Sequence, residues 1–228
     1  MGELSDRRAR KKAQTRDHVR RTAQRLFAEH GFEAVTIADI AGAADVAVQT
    51  VFNHFATKEE LFFCDRTPWR EGPAEAVRNR DLDIGPLAAL RDHLLLMVRG
   101  YMLRASTPAH RQLMATLEAS PALRNHERLL YHEAEDRVRE ALIEAWEEPT
   151  GTLDRFVPED PRLAAGVIAA LWLGAVRALL VEQRYSPPEP GDSTAVDEVV
   201  SAAQFLLDRV ERVLEPTPGE VRLTRQAS

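Results

Sequence analysis

Apolar residues recur along this chain at intervals of three and four, and no stretch alternates over the length of a strand, so the pattern predicts helices throughout. Between Thr15 and His30, Val19, Ala23, Leu26 and Phe27 form one inner face, and Gly31 supplies a C-terminal stop. Thr36 followed three residues later by Asp39 reads as a capped helix start, with Ile37, Ile40, Ala41 and Ala44 as its apolar face. The run Ala43-Ala44-Asp45-Val46 is too short for a loop of its own, and Asp tolerates the left-handed conformation of a tight turn. A second short helix is predicted from about Ala47 to Phe55. It has Val48, Val51, Phe52 and Phe55 inward, Phe52 and Phe55 closing the core, and Gln49, Thr50 and Asn53 opposite. Thr57-Lys58-Glu59-Glu60 is a capping box that opens a helix carrying Leu61, Phe62 and Phe63. Two short helices on a tight turn, the second showing amides and a hydroxyl outward, predict a helix-turn-helix whose second helix enters the DNA major groove.

The flanking segments differ in kind. Met1 to Gln14 is polar, with RRARKK at Arg7 to Lys12, and is expected to be a flexible basic arm; basic arms of this kind can reach phosphates or the minor groove. After Phe63, the residues Pro68, Gly72, Pro73, Gly85 and Pro86 predict a short or broken connection with its joint near Thr67-Pro68. Five helices are then expected, at about 87–106, 109–119, 121–147, 161–183 and 193–214. Pro149-Thr150-Gly151 breaks the third from the fourth, and a frayed polar tail begins at Glu215. The expected organisation is an arm at 1–14, a DNA-binding domain at 15–64 and a second helical domain at 65–228. The fold class is all-α, with no internal repeat.

Composition narrows this reading. A single cysteine, Cys64, rules out an intrachain disulfide and a cysteine-rich zinc site, which suits a reducing cytoplasm. The charged N-terminus has no apolar signal core behind it, so a cytoplasmic location is expected. The uncharged run from Leu163 to Val176 is shorter than the roughly 20 residues a bilayer needs, and is read as a buried helix, so no membrane association is expected. The net charge of −6 alone would disfavour nucleic acid, but residues 1–58 hold 10 Lys/Arg against 7 Asp/Glu. Between Arg7 and Arg25 only Asp17 opposes nine basic residues, so the positive field is concentrated at one end. His93, His110, His126 and His132 offer no metal pair at i, i+4, Cys64 has no evident base, and no phosphate loop or nucleophile elbow occurs. No enzyme activity, metal or cofactor is expected.

The stretch 36–62 resembles the DNA-binding domain of the TetR (tetracycline repressor) family. The matching residues are Thr36, Asp39-Ile40-Ala41, Thr50, Phe52, His54-Phe55, Thr57-Lys58-Glu59 and Leu61-Phe62, with no insertion. Two positions depart from the family pattern: Asp45 stands where the turn usually has Gly, and Ala47 where the recognition helix usually begins with Ser. The second loses an N-cap worth about 1 kcal/mol, unless Asp45 caps an earlier start.

The resemblance implies a ligand-responsive regulator, most often a repressor, that binds a palindromic DNA operator as a homodimer and is released by a small molecule. An architectural DNA binder without an effector is the alternative. Gln49, Thr50 and Asn53, with Val48, are the candidate base readers, since amides suit adenine edges and methyl groups suit the thymine methyl. Thr36, His54 and Lys58 are candidate phosphate anchors. On the helix 161–183, small residues including Ala170, Gly174 and Ala178 lie near Val167. On the last helix Val196, Val200, Ala203, Leu207, Val210 and Leu214 recur at 4-3-4-3-4. The pattern leaves open whether these faces close their own subunit or meet a second copy; the resemblance implies a dimer interface at Val167, Ala170, Gly174, Ala178, Val200, Ala203, Leu207 and Val210. It also implies an effector cavity, for which Met97, Tyr101, Met114, Leu117, Arg124, Tyr131 and Trp172 are candidates and an apolar or amphipathic small molecule the expected ligand.

Overall fold

Ala, Leu, Arg and Glu dominate the periodic stretches, and Gly and Pro fall mainly between them. In the computed structural model these stretches become ten helices among the described residues. The structure describes residues 2–65, 67–147 and 158–214, and among these there is no strand. The helices are α1 (Gly2–His30), α2 (Ile37–Ala43), α3 (Val48–Phe52), α4 (Lys58–Phe63), α5 (Pro68–Arg78), α6 (Pro86–Ala105), α7 (Pro108–Ala119), α8 (Pro121–Glu147), α9 (Pro161–Tyr185) and α10 (Ser193–Leu214). The predicted break at Pro149-Thr150-Gly151 and the tail from Glu215 lie outside the described residues.

One expectation is corrected here. The basic arm is not a flexible tail: α1 runs back to Gly2, because residues 3–14 hold good helix formers and neither Gly nor Pro to stop propagation. The proline-bearing connection is short and interrupted as expected, with helix stopping at Phe63 and resuming at Pro68. A positive φ of 59° at Asp65 turns the chain after α4, and α5 then passes through Pro73, with Pro73, Ala74 and Val77 buried. Burial of that face outweighs the backbone bond that proline forfeits.

The chain divides into two units, Met1–Pro68 with Arg111–Arg128, and Trp69–His110 with Leu129–Ser228. The return of 111–128 to the first unit was not legible as a domain boundary. Leu117 and Leu123 are buried there, the Ser120 hydroxyl donates to the Glu33 carboxylate, and His126 stacks on Phe63 with ring centroids 5.4 Å apart. That core also holds an aromatic cluster among aliphatic residues such as Val19, Ile40 and Leu61. Phe27 lies 5.1 Å from Phe32 and 6.1 Å from Phe62, and Phe32 meets Phe62 edge-on at 5.6 Å.

The second unit is built on one apolar cluster from α5, α6, α8, α9 and α10, with Leu90, Leu94, Trp172, Ile168 and Leu142 fully enclosed. Ion pairs tie its helices at the surface: Arg70 to Glu133 and Arg78 to Glu144 at 2.8 Å, Arg99 to Asp197 at 2.8 Å, and Arg91 to Glu211 at 3.1 Å. Over its full 25 residues α9 is long and apolar enough to cross a membrane by length and composition. In the structure one side of it carries Ala165, Ile168, Trp172 and Val176 into the cluster, while Leu163 and Leu171 remain exposed on the other.

Candidate nucleic-acid interface

Backbone chemistry fixes the helix-turn-helix. Thr36 Oγ1 accepts from the Asp39 amide at 3.1 Å, and Asp39 Oδ2 accepts from the Thr36 amide at 2.9 Å and its hydroxyl at 2.6 Å, a closed capping box. These donors hold the Asp39 carboxyl below its usual pKa, the Thr36 hydroxyl contributing most. At the other end of α2, Val46 N donates to Ala41 O at 3.0 Å and Asp45 N to Gly42 O at 3.2 Å, with Asp45 at φ 50°. That is a Schellman motif with aspartate in the left-handed position that glycine most often takes. His18 of α1 bonds the Ala44 carbonyl at 3.2 Å, pinning the turn to the long helix.

The recognition helix is shorter than expected, five residues from Val48, and Ala47 caps it with backbone alone. Asp45 is occupied in the preceding turn and supplies no cap. Val51 and Phe55 are buried, as the periodicity predicts. Phe52 and Val48 are not: they are 47% and 43% exposed, so the expectations that Phe52 closes the core and that Val48 faces inward are wrong. With so short a helix, Val51 and Phe55 fill the inner side, and Phe52 falls on the outer one. Gln49 and Asn53 are exposed and joined by an amide hydrogen bond of 3.2 Å, while Thr50 is half-buried.

Of the candidate phosphate anchors, Thr36 is exposed, but its hydroxyl is engaged in the cap. Lys58 is committed elsewhere. Its ammonium donates to Phe32 O at 2.9 Å and Val35 O at 3.0 Å and sits 4.1 Å from the Phe32 ring, which makes it a clamp on the loop before α2. His54 has a shielded Nδ1 without a hydrogen-bond partner among the described residues. Burial first, then the charges of Lys12 and Arg16, push its pKa down. Sequence reasoning missed the neighbourhood of Lys12 and Arg16, whose guanidinium lies 4.6 Å from the Phe55 ring centre. Arg20 and Arg21 pair with Asp17, and Arg25 with Glu29, so those cations are partly neutralised.

The effector candidates do not gather in one unit. Met97, Tyr101 and Trp172 belong to the apolar cluster of the second unit, where Tyr131 stacks on Trp69 at 4.2 Å. Met114, Leu117 and Arg124 lie in the first unit, where Arg124 donates to the Glu118 carbonyl. The indole N–H groups of Trp146 and Trp172 are buried without an acceptor among the described residues.

The interface candidates also separate. Ala203 and Leu207 are fully buried within their own chain, and Val200 and Val210 pack against the same cluster, so the seam on α10 closes its own core. A 4-3 repeat reports that one helix face is covered without saying by what. On α9, Val167 and Gly174 are half-buried while Ala170 and Ala178 are exposed.

Residues 19–63 match the family model for bacterial regulatory proteins of the tetR family. MftR of Mycobacterium tuberculosis, named for transcriptional regulation of mycofactocin biosynthesis, is 30% identical over 126 residues, 54% of this chain and 61% of that protein. The HTH-type transcriptional regulator TcmR of Streptomyces glaucescens is 34% identical over 120 residues, 51% of this chain and 53% of that one. The chain thus spans less than two thirds of the curated relatives it matches. In fold it is similar to native NalD, the secondary repressor of the MexAB-OprM multidrug efflux pump in Pseudomonas aeruginosa. The TM-score is 0.51 at 23% identity, over 90% of this chain and 97% of that one.

Proposed function

We propose that this chain, whose residues 19–63 match the family model for bacterial regulatory proteins of the tetR family, is a cytoplasmic, ligand-responsive transcriptional repressor that binds a palindromic operator as a homodimer. The observation that carries the reading is the outward face of α3, where Gln49 and Asn53 stand exposed on a helix held by a capping box on one side of its turn and a Schellman motif within it. A helix so placed offers amides to base edges, and Lys12 and Arg16 provide positive potential beside it. One such helix reads too few base pairs to find a single site, and two-fold pairing is the usual remedy.

The pairing surface we assign is the outer stripe of α9, Leu163, Val167, Ala170, Leu171, Gly174 and Ala178, with Phe205 of α10, because the stripe gathers apolar positions that the subunit leaves exposed or half-buried on one face of one helix. The effector is a small amphipathic molecule taken into the second unit, where apolar side chains surround the indole N–H groups of Trp146 and Trp172, which have no acceptor among the described residues. The protein has no catalytic role in this reading, and NalD, also a repressor, supplies the parallel.

Selection of duplexes from a random library, followed by footprinting, tests the proposal. A symmetric site should emerge, and Gln49→Ala should weaken binding to it far more than to random DNA. Compounds that raise the thermal stability of the protein should then release that site. Enrichment without symmetry or sequence preference would favour an architectural DNA binder instead.

A further inference from the structure

The exposed face of α3 consists of two parallel ridges. Val48 and Phe52, four residues apart, make an apolar one, and Gln49 and Asn53 make an amide one beside it. The amide ridge is internally joined, Gln49 Nε2 donating to Asn53 Oδ1, a bond that leaves the Gln49 carbonyl oxygen and the Asn53 amino group for other partners. The apolar ridge is left uncovered, although Val51 between its two members is fully buried. An uncovered phenylalanine beside an uncovered valine loses the free energy that burial would return, so a partner that covers both gains it.

The surroundings define that partner. Lys12 and Arg16 bring positive charge to His54, immediately after the amide ridge, and Arg16 lies over Phe55. A polyanion that presents apolar groups in a groove fits this arrangement, and the apolar groups in the DNA major groove are the thymine 5-methyls. Four residues advance a helix by about 6 Å, close to two steps of roughly 3.4 Å along a DNA strand.

We propose that Val48 and Phe52 read the 5-methyl groups of thymines lying within two base pairs of each other in the operator half-site, with Gln49 and Asn53 on neighbouring base edges. Methyl contact thereby sets sequence preference alongside hydrogen bonding. The assignment rests on the DNA-binding reading above and adds to it the base that the apolar ridge selects.

Deoxyuridine differs from thymidine by this methyl alone, which makes the test direct. A duplex enriched from a random library by the full-length protein is resynthesised with deoxyuridine at one thymine at a time, and affinities are measured at fixed salt. At the contacted thymines the wild type should lose roughly four- to tenfold per methyl, with no loss at thymines elsewhere in the duplex. Phe52→Ala should bind the thymine and uracil duplexes alike at one contacted position, and Val48→Ala at the other, each with a melting temperature close to wild type. Equal affinity of the wild type for all duplexes would overturn the assignment, as would full methyl discrimination in both variants. If the library yields no enriched duplex at all, the DNA-binding reading itself fails and the methyl assignment falls with it.

Discussion

Lys58 shows how a single side chain can change role between sequence and fold. In sequence it is a cation four residues after His54, where a phosphate anchor is expected. In space its ammonium is spent on the carbonyls of Phe32 and Val35, 26 and 23 residues away, and those acceptors could not be found from local spacing. Lys58→Met keeps the stem and removes the donor, leaving two carbonyls short of a partner. It should lower stability by about 2 kcal/mol, read from urea denaturation, and weaken all DNA binding only in proportion to unfolding. The converse applies at Ala47, whose extended backbone already has N-cap geometry while its side chain makes no bond. Ala47→Ser should raise stability by about 1 kcal/mol, seen as a higher melting temperature.

At the scale of elements, legibility followed how local the determining forces are. The capping box at Thr36 and Asp39, the stop at Gly31 with φ 81° and the left-handed Asp45 could each be read from a few neighbouring residues, because each is made by them. The course of α5 could not: Pro68, Gly72 and Pro73 predict a short or broken connection without saying where helix persists, and the burial of Ala74 and Val77 supports the turns around Pro73. Phe52 failed for a related reason, since a five-residue helix is too short for periodicity to decide which of two adjacent apolar residues faces inward.

The α10 seam was visible, but its partner was not, and this difference can be tested. Leu207→Ala opens a cavity in the subunit's own core and should cost about 2–5 kcal/mol, measured by thermal or urea unfolding. Leu171→Glu lies on the uncovered side of α9 and should leave the subunit folded by circular dichroism while moving its mass in sedimentation from two copies to one. A dimer that persists in Leu171→Glu would place the pairing surface elsewhere.

For the whole molecule the governing features are a charge asymmetry and a set of half-buried imidazoles. The N-terminal segment is net basic within a chain of net charge −6, which orients a polyanion toward one end before any contact is made. The imidazoles set the response to acid. Burial pushes His54, His93 and His110 below the ordinary value of 6.5; for His93 the charge of Glu75 opposes this shift, and for His110 Arg104 and Arg184 add to it. A histidine with a depressed folded pKa is stabilising in its neutral form, so its contribution is complete above about 6.5 and is lost as pH falls from there through the folded value. Asp17, Asp39 and Glu144, held down chiefly by bonds from Arg20, Thr36 and Arg78, act in the same direction at lower pH: their stabilisation is present above the carboxylate range and lost on descending through it. The melting temperature should therefore fall continuously below pH 6.5, first through the histidines and then through the carboxylates. In melts at constant ionic strength, His93→Gln with His110→Gln should flatten the part of the profile between pH 6.5 and the carboxylate range while leaving the acid limb in place. A wild-type profile already flat through that upper part would mean that these rings are hydrated and charge without cost. Gly72 offers an independent check on His93, since a Cβ there would come within 2.7 Å of the buried Nε2. Gly72→Ala should displace the ring toward water and flatten the upper limb in the same way, though by a smaller amount than the double substitution.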